Sequence, residues 1–247
     1  MTSMPEIHIA DLASLTRTLS DEVMKCAAQN MAERGLFSIA LAGGSVATSC
    51  FPALAVLPID WTKTHFWWAD ERAVPATDPE SNYGLAERLW LIPAGVPASS
   101  IHRMPADDVD LVAAADAYGE ELSGALGRVP VLDLAILGMG PDGHVASLFP
   151  GHRLLDEHDR IAAAITDAPK PPPHRLTLTL PVLQRARTVV VAAFGASKAM
   201  ALGKALGDSS SSLPVARVLH AAPRAIVLAD DPAGVELRRA GSGNLEP

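Results

Sequence analysis

The sequence predicts an α/β fold, a mainly parallel central sheet with helices on both faces. Short apolar runs of strand type alternate with helix-period segments from one end of the chain to the other. Glycine-rich turns follow several of those runs directly, where open α/β sheets build their sites. At 247 residues, 49% hydrophobic and 19% charged, the chain can bury a substantial core. One domain spanning 1–247 is expected, because no linker divides it.

The elements follow in order. Residues 11–34 carry apolar positions at helical spacing and are closed by Gly35. Leu36–Ala42 reads as a strand, and Ser45–Leu57 as a partly helical segment interrupted by Pro52. Thr64–Ala69 is strand-like, Leu85–Leu91 helical, and Val109–Leu126 a longer amphipathic helix. Val131–Leu137 has the length and apolarity of a buried parallel strand. Ile161–Thr166 is strand-like, and Arg175–Leu180 alternates. Thr188–Phe194 and Ala225–Ala229 are further apolar strands, with Ser197–Leu206 a helix between them. Pro169–Pro173 forms a rigid loop, Ser209–Ser212 a polar one, and 241–247 is expected to fray.

The net charge of −8 argues against non-specific nucleic-acid binding, and requires any anionic substrate to meet locally clustered cations. Cys26 and Cys50 lack CxxC spacing and read as buried thiols of a reducing compartment. With no signal sequence and no long apolar run visible, a cytoplasmic protein without membrane contact is expected.

The most informative stretch is Gly138–His152, directly after the Val131–Leu137 strand. Asp142 is a candidate cap for a helix starting near Gly143, with His144 in its first turn as a candidate general base. Residues 138–143 also match the dinucleotide fingerprint G-x-G-x-x-G, with Asp167 downstream. Pro141 in the loop and bulky His144 after the third glycine argue against that reading. Asp142, His144, His152, His158 and Asp159 lie close in sequence but match no metal-ligand spacing, so no metal is expected.

Gly43, Gly44 and Ser45 follow the first apolar strand and open a helix-like stretch, the pattern of a phosphate cradle or of a plain capped turn. Asp70, Glu71 and Arg72 sit where a strand gives way to a loop. Arg72 could pair with a phosphate or steady a developing negative charge. Arg175 and Lys198 also lie at element ends, and with Arg72 they suggest an anion site in a cation-poor chain.

Together these pieces resemble the 6-phosphogluconolactonase family of the glucosamine-6-phosphate isomerase/deaminase-like superfamily. The matching segments are Leu41–Ser45, Trp68–Arg72 with Ser81–Gly84, Leu137–His144 with Leu148–His152, Arg175–Thr179 and Gly195–Lys198, in the family's order. The resemblance implies a NagB/RpiA-like modified Rossmann architecture with no cofactor, and a sugar-phosphate lactone as the partner molecule. It implies hydrolysis of 6-phospho-D-glucono-1,5-lactone, the second step of the oxidative pentose phosphate pathway. A monomer or small homo-oligomer is expected, the sequence leaving the oligomeric state open. His144 would then be the base, Asp142 its orienting group or a helix cap, and Arg72 the oxyanion or phosphate partner. Gly43, Gly44, Ser45, Lys198 and Arg175 would hold the 6-phosphate. Asp70 joins the substrate-binding set, its part in catalysis or in shaping the loop open. Side-chain directions are not legible from spacing, so the division of labour among Arg72, Arg175 and Lys198 stays open.

An amino-sugar-phosphate isomerase/deaminase is the nearest rival. Its usual Asn-Gly-His and Asn-Glu-Pro stretches are replaced here by Asp142-Gly-His and Leu148-Phe-Pro-Gly. A non-catalytic sugar-phosphate regulator would be expected to lose the base or to carry a DNA-binding module. A hydride-transfer enzyme is the remaining alternative.

Overall fold

The computed structural model describes residues 4–242. Six strands form one parallel sheet: β1 (Glu6–Ile9), β2 (Phe37–Leu41), β3 (Thr64–Trp68), β5 (Leu134–Gly138), β8 (Thr188–Ala193) and β9 (Ala225–Ala229), in the order β1-β9-β8-β5-β2-β3. Every residue of β2, β8 and β9 is buried. Successive side chains of a strand point to opposite faces, so this burial means both faces are covered.

The helices are α1 (Leu12–Arg34), α2 (Gly44–Leu54), α3 (Asn82–Ala86), α4 (Leu111–Leu126), α5 (Leu180–Arg185), α6 (Ala199–Gly207), α7 (Pro214–Ala221) and α8 (Val235–Ser242). Helix α1 begins where the Asp11 carboxylate accepts the Ser14 amide at 2.8 Å and stops at left-handed Gly35 (φ 79°). Asp110 caps α4 in the same way, so the helix begins at Leu111, two residues after the predicted start at Val109. Pro52 sits inside α2 without ending it. The core is contiguous, centred on Trp67, Trp68, Trp90, Phe37, Phe51 and Phe66. Cys26 and Cys50 are free and buried there. Burial and neighbouring Glu22 push the Cys26 thiol up to about 12, which removes it as a nucleophile.

A second sheet was not expected. β4 (Asp70–Arg72), β6 (Ala162–Ile165) and β7 (Arg175–Leu178) pair antiparallel in the order β4-β7-β6. The predicted loop at Asp70–Arg72 is therefore a strand, with Asp70 opposite Thr177 and Arg72 opposite Arg175. Three polar residues carry no strand pattern of their own, and their ladder partner lies far along the chain. The alternation in Arg175–Leu180 does not mark a wet and a dry face, since all four residues of β7 are buried.

Strand β1 and helices α5, α7 and α8 were also not anticipated. β1 is a short edge strand, Glu6-Ile-His-Ile9, with no apolar run. Proline stands in the first turn of both α5 and α7, where its missing N–H costs nothing. Of the terminal stretch expected to fray, 243–247 lie outside the described residues, while 241 and 242 close α8.

Candidate active site

The loops leaving the C-terminal ends of β2, β5 and β8 meet the small sheet around a cleft of about 250 Å³. Gly43, Gly44, Ser45, Asp70, Arg72, His144, Arg175 and Lys198 all line it, and Asp142 stands directly behind His144. Every site residue expected from sequence is thus at one place. Asn82 and Lys170 line it as well and were not anticipated.

The chain leaves β2 through Gly43 straight into α2, whose first turn has no side-chain cap. Its leading amides and the exposed Ser45 are left for a ligand at the positive end of the helix dipole. Gly43 makes room for a neighbouring side chain, because a Cβ there would lie 1.8 Å from Asn82 Oδ1 and force it to shift.

The loop after β5 behaves differently and corrects the sequence expectation. No helix starts near Gly143, and Asp142 caps nothing. Instead the Gly143 amide donates to Gly140 O at 3.0 Å and the Gly140 amide to His144 O at 2.9 Å. Val145 then bridges back to Met139 and forward to Leu148. Positive φ at Gly143 (84°) and Ala146 (48°) breaks any helical run. The fingerprint geometry of a third glycine opening a helix is absent, and Asp167 pairs at 3.0 Å with His152 on an exposed edge. His158 and Asp159 lie in a different cleft with Arg128 and Arg185, so the five clustered His and Asp residues do not converge.

Within this turn the Asp142 carboxylate accepts His144 Nδ1–H at 2.5 Å. That bond fixes the tautomer and leaves Nε2 as the basic nitrogen. Phe149 packs against the imidazole with ring centroids 4.7 Å apart. Burial holds the His144 pKa below the ordinary imidazole value, and Asp142 offsets this only in part. Burial works against the Asp142 charge too, but His144 and Lys170 overcome it and keep that carboxyl below its usual range. Gly140 gives the pair its room, since a Cβ there would stand 2.1 Å from His144 Cε1 and Nδ1 and 2.5 Å from Asp142 Oδ1.

The small sheet supplies the opposite wall. Glu71 is buried and does not face the cleft. Its carboxylate accepts the amides of Arg72, Asn82 and Tyr83 at 2.7, 2.8 and 2.7 Å and the Ser81 hydroxyl at 3.0 Å. Burial raises its pKa, against those donors. The tie seats Asn82, whose Nδ2 donates to the Asp70 carbonyl at 2.9 Å. Ser147 Oγ donates to Asp70 Oδ2 at 2.6 Å, fixing that carboxylate. Arg72 donates from Nη1 to Glu80 O at 2.5 Å, while its Nε is buried without a partner. Arg175 faces Arg72 across the ladder but spends Nε and Nη2 on the carbonyls of residues 170–172.

Lys198 enters from the turn after β8. Burial first, and then nearby Lys170, lower its pKa. The cleft thus holds four cations, Arg72, Lys170, Arg175 and Lys198, against the Asp70 carboxylate in its lining. In a chain of net charge −8 this is a local reversal of sign, the field an anionic substrate needs. Lys170 escaped the sequence reading because it sits in a proline run that signals only rigidity. Asn82 stood within the quoted Ser81–Gly84 segment, but nothing in that pattern tells a loop polar group from a site one.

The sequence model of the glucosamine-6-phosphate isomerases/6-phosphogluconolactonase family matches residues 10–227. The chain belongs to this family. A 6-phosphogluconolactonase of Rattus norvegicus is 41% identical over 217 residues, which cover 83% of this chain and 81% of the rat protein. One from Streptomyces coelicolor is 38% identical over 221 residues, covering 84% and 85%. The 6-phosphogluconolactonase from Trypanosoma brucei superposes with a TM-score of 0.82 at 27% identity, covering 94% of this chain and 98% of that one. The enzyme from Trypanosoma cruzi reaches 0.84 at 27% identity, with 96% and 98% coverage. The α/β architecture, with its mainly parallel central sheet, is that of this glucosamine-6-phosphate isomerase/6-phosphogluconolactonase family.

Proposed function

We propose that this protein hydrolyses 6-phospho-D-glucono-1,5-lactone to 6-phospho-D-gluconate by general-base activation of water. The observation that carries the reading is the Asp142–His144 pair, with its basic Nε2, set in a cleft lined by four cations. The family's 6-phosphogluconolactonases supply the substrate class. The 6-phosphate sits at the uncapped end of α2, on the amides of Gly44 and Ser45, with Lys198 beside it. This remote anchor brings C1 of the lactone to His144.

His144 Nε2 takes a proton from water as the oxygen adds to C1. Asp142 steadies the resulting imidazolium through Nδ1. The carbonyl oxygen becomes an oxyanion, which the charge of Arg72 in the cleft lining stabilises. The C1–ring oxygen bond then breaks, and the departing ring oxygen recovers the proton from the imidazolium. The sequence is redox-neutral and asks for no cofactor, because a lactone is already an activated ester. The cleft is complete within one chain, so a monomer suffices. Two reduced, buried thiols fit a cytoplasmic setting. No helix among the described residues is long and apolar enough to cross a membrane.

The test is the hydrolysis rate of freshly generated lactone, corrected for spontaneous opening, with chelator present. Strong acceleration that disappears in His144→Ala is expected. A folded wild-type protein without acceleration rejects the reading and makes glucosamine 6-phosphate the next substrate to assay.

A further inference from the structure

Lys170 has no role in the mechanism above, yet its ammonium lies 3.2 Å from Asp142 Oδ1 and 3.4 Å from His144 Nδ1. It thus shares with Nδ1–H the very oxygen that orients the base. We propose that Lys170 is a positioning residue that sets the geometry and charge state of the Asp142–His144 pair. In the same proposal, Arg175 acts by fixing Lys170 in place rather than by gripping substrate. The proposal rests on His144 being the base.

The backbone around Lys170 explains why a clamp is needed. Pro171, Pro172 and Pro173 follow it, and none has an N–H, so the segment cannot join a ladder by donating. Only its carbonyls can be held. Arg175 takes three in succession, with Nη2 on Lys170 O and Pro171 O at 3.1 Å each and Nε on Pro172 O at 3.0 Å. The Ala168 amide closes the loop on Pro173 O at 3.1 Å. Arg175 is itself rigid. It is 6% exposed, sits in the β7 ladder, and packs its guanidinium over Phe149, the ring that also touches His144. A guanidinium so committed keeps only Nη1, 3.4 Å from Ser147 Oγ.

The charges around the imidazole define what Lys170 does there. Asp142 on its own loop and Asp70 on β4 favour imidazolium, whereas Lys170 opposes it. Lys198 faces Lys170 and Asp142, and Arg72 and Arg175 line the same cleft. Lys170 is the cation in contact with the pair. It draws on Asp142 Oδ1, moderates the pull of that carboxylate on the proton, and keeps the resting imidazole neutral and ready to accept one. When anionic substrate fills the cleft, its charge offsets that of the lysine, so the imidazolium formed during water attack is opposed less.

The test compares wild type with Lys170→Met, Lys170→Arg and Arg175→Lys. The readout is the NMR titration of the His144 ring proton in substrate-free protein, followed by the pH profile of kcat/KM. In Lys170→Met the titration midpoint and the acid limb move together to higher pH, and Lys170→Arg restores both toward wild type. Arg175→Lys moves them in the same direction although Lys170 is present, because the carbonyl clamp is gone. An unmoved midpoint in Lys170→Met, with KM alone raised, overturns the proposal and makes Lys170 a substrate ligand. An unmoved midpoint in folded Arg175→Lys removes the clamp. Lys170 is 38% exposed at its side chain, so the Met and Arg variants decide its own part even where Arg175→Lys does not fold. The titration needs no turnover, so loss of the lactonase reading and loss of this proposal are separate results.

Discussion

Two glycine-rich loops leave neighbouring, hydrogen-bonded strands on the same edge of the sheet, and they do opposite things. After β2, Gly43-Gly44-Ser45 turns at once into α2 and presents bare helix amides. After β5, Gly138–Gly143 refuses a helix and folds into tight turns that grip an imidazole. One loop offers a diffuse positive end to an anion, and the other a single directed nitrogen. The difference lies in what each glycine makes room for. At Gly43 it is a neighbouring asparagine, and at Gly140 it is the base itself.

Breaking the second loop should cost far more turnover than breaking the first. His144→Ala is expected to lower kcat by about 10²–10⁴-fold while binding of the phosphorylated product stays intact, measurable by calorimetry. Retained wild-type kcat would remove His144 as the base. Gly140→Ala should follow closely, losing roughly 100-fold in kcat, because the new methyl must displace the imidazole or Asp142. Gly43→Ala should instead act mainly on KM by pushing Asn82 into the cleft, and equal kcat losses in the two variants would erase the contrast. Lys198→Ala belongs to the anion half of the site, with KM raised about 10- to 100-fold for loss of one charge-assisted contact. A pure kcat loss there would move Lys198 to the transition state.

The mildest test is pH. Burial lowers the His144 pKa, so kcat/KM should rise through a midpoint below 6.5 and be flat above it. The same group links to stability. As pH falls below the unfolded imidazole value, the unfolded chain takes up the proton first, so the fold loses stability progressively down through the lowered native pKa. A kinetic midpoint at or above 6.5 would contradict the buried setting of the base.

Much of this site was legible because the parallel sheet collects strand ends. Once Leu36–Ala42, Val131–Leu137 and Thr188–Phe194 read as parallel strands, the residues following each had to meet at one edge. That logic places Gly43–Ser45, His144 and Lys198 without any contact information. It fails for the small sheet. Asp70–Arg72 becomes a strand only because β7 pairs with it, and no local pattern in three polar residues announces a distant partner. It fails also at Asp142, where a cap signal and an orienting carboxylate look alike until Gly143 and Ala146 take positive φ. Lys170 was hidden for a third reason. Its place is dictated by carbonyls docking on Arg175, and backbone acceptors leave no mark in sequence.

The pairing of Arg72 with Arg175 across β4 and β7 has a consequence for handling the protein. Like charges set directly opposite on a ladder repel, and Lys170 and Lys198 add to the load from the other wall. A small oxyanion bound among these cations should therefore relieve their repulsion and stabilise the fold. Inorganic phosphate or sulfate should raise the melting temperature with the logarithm of its concentration once that exceeds Kd, worth about 2.7 kcal/mol at one hundred times its Kd. The thermal tolerance of this enzyme is then a property of its solution as much as of its sequence.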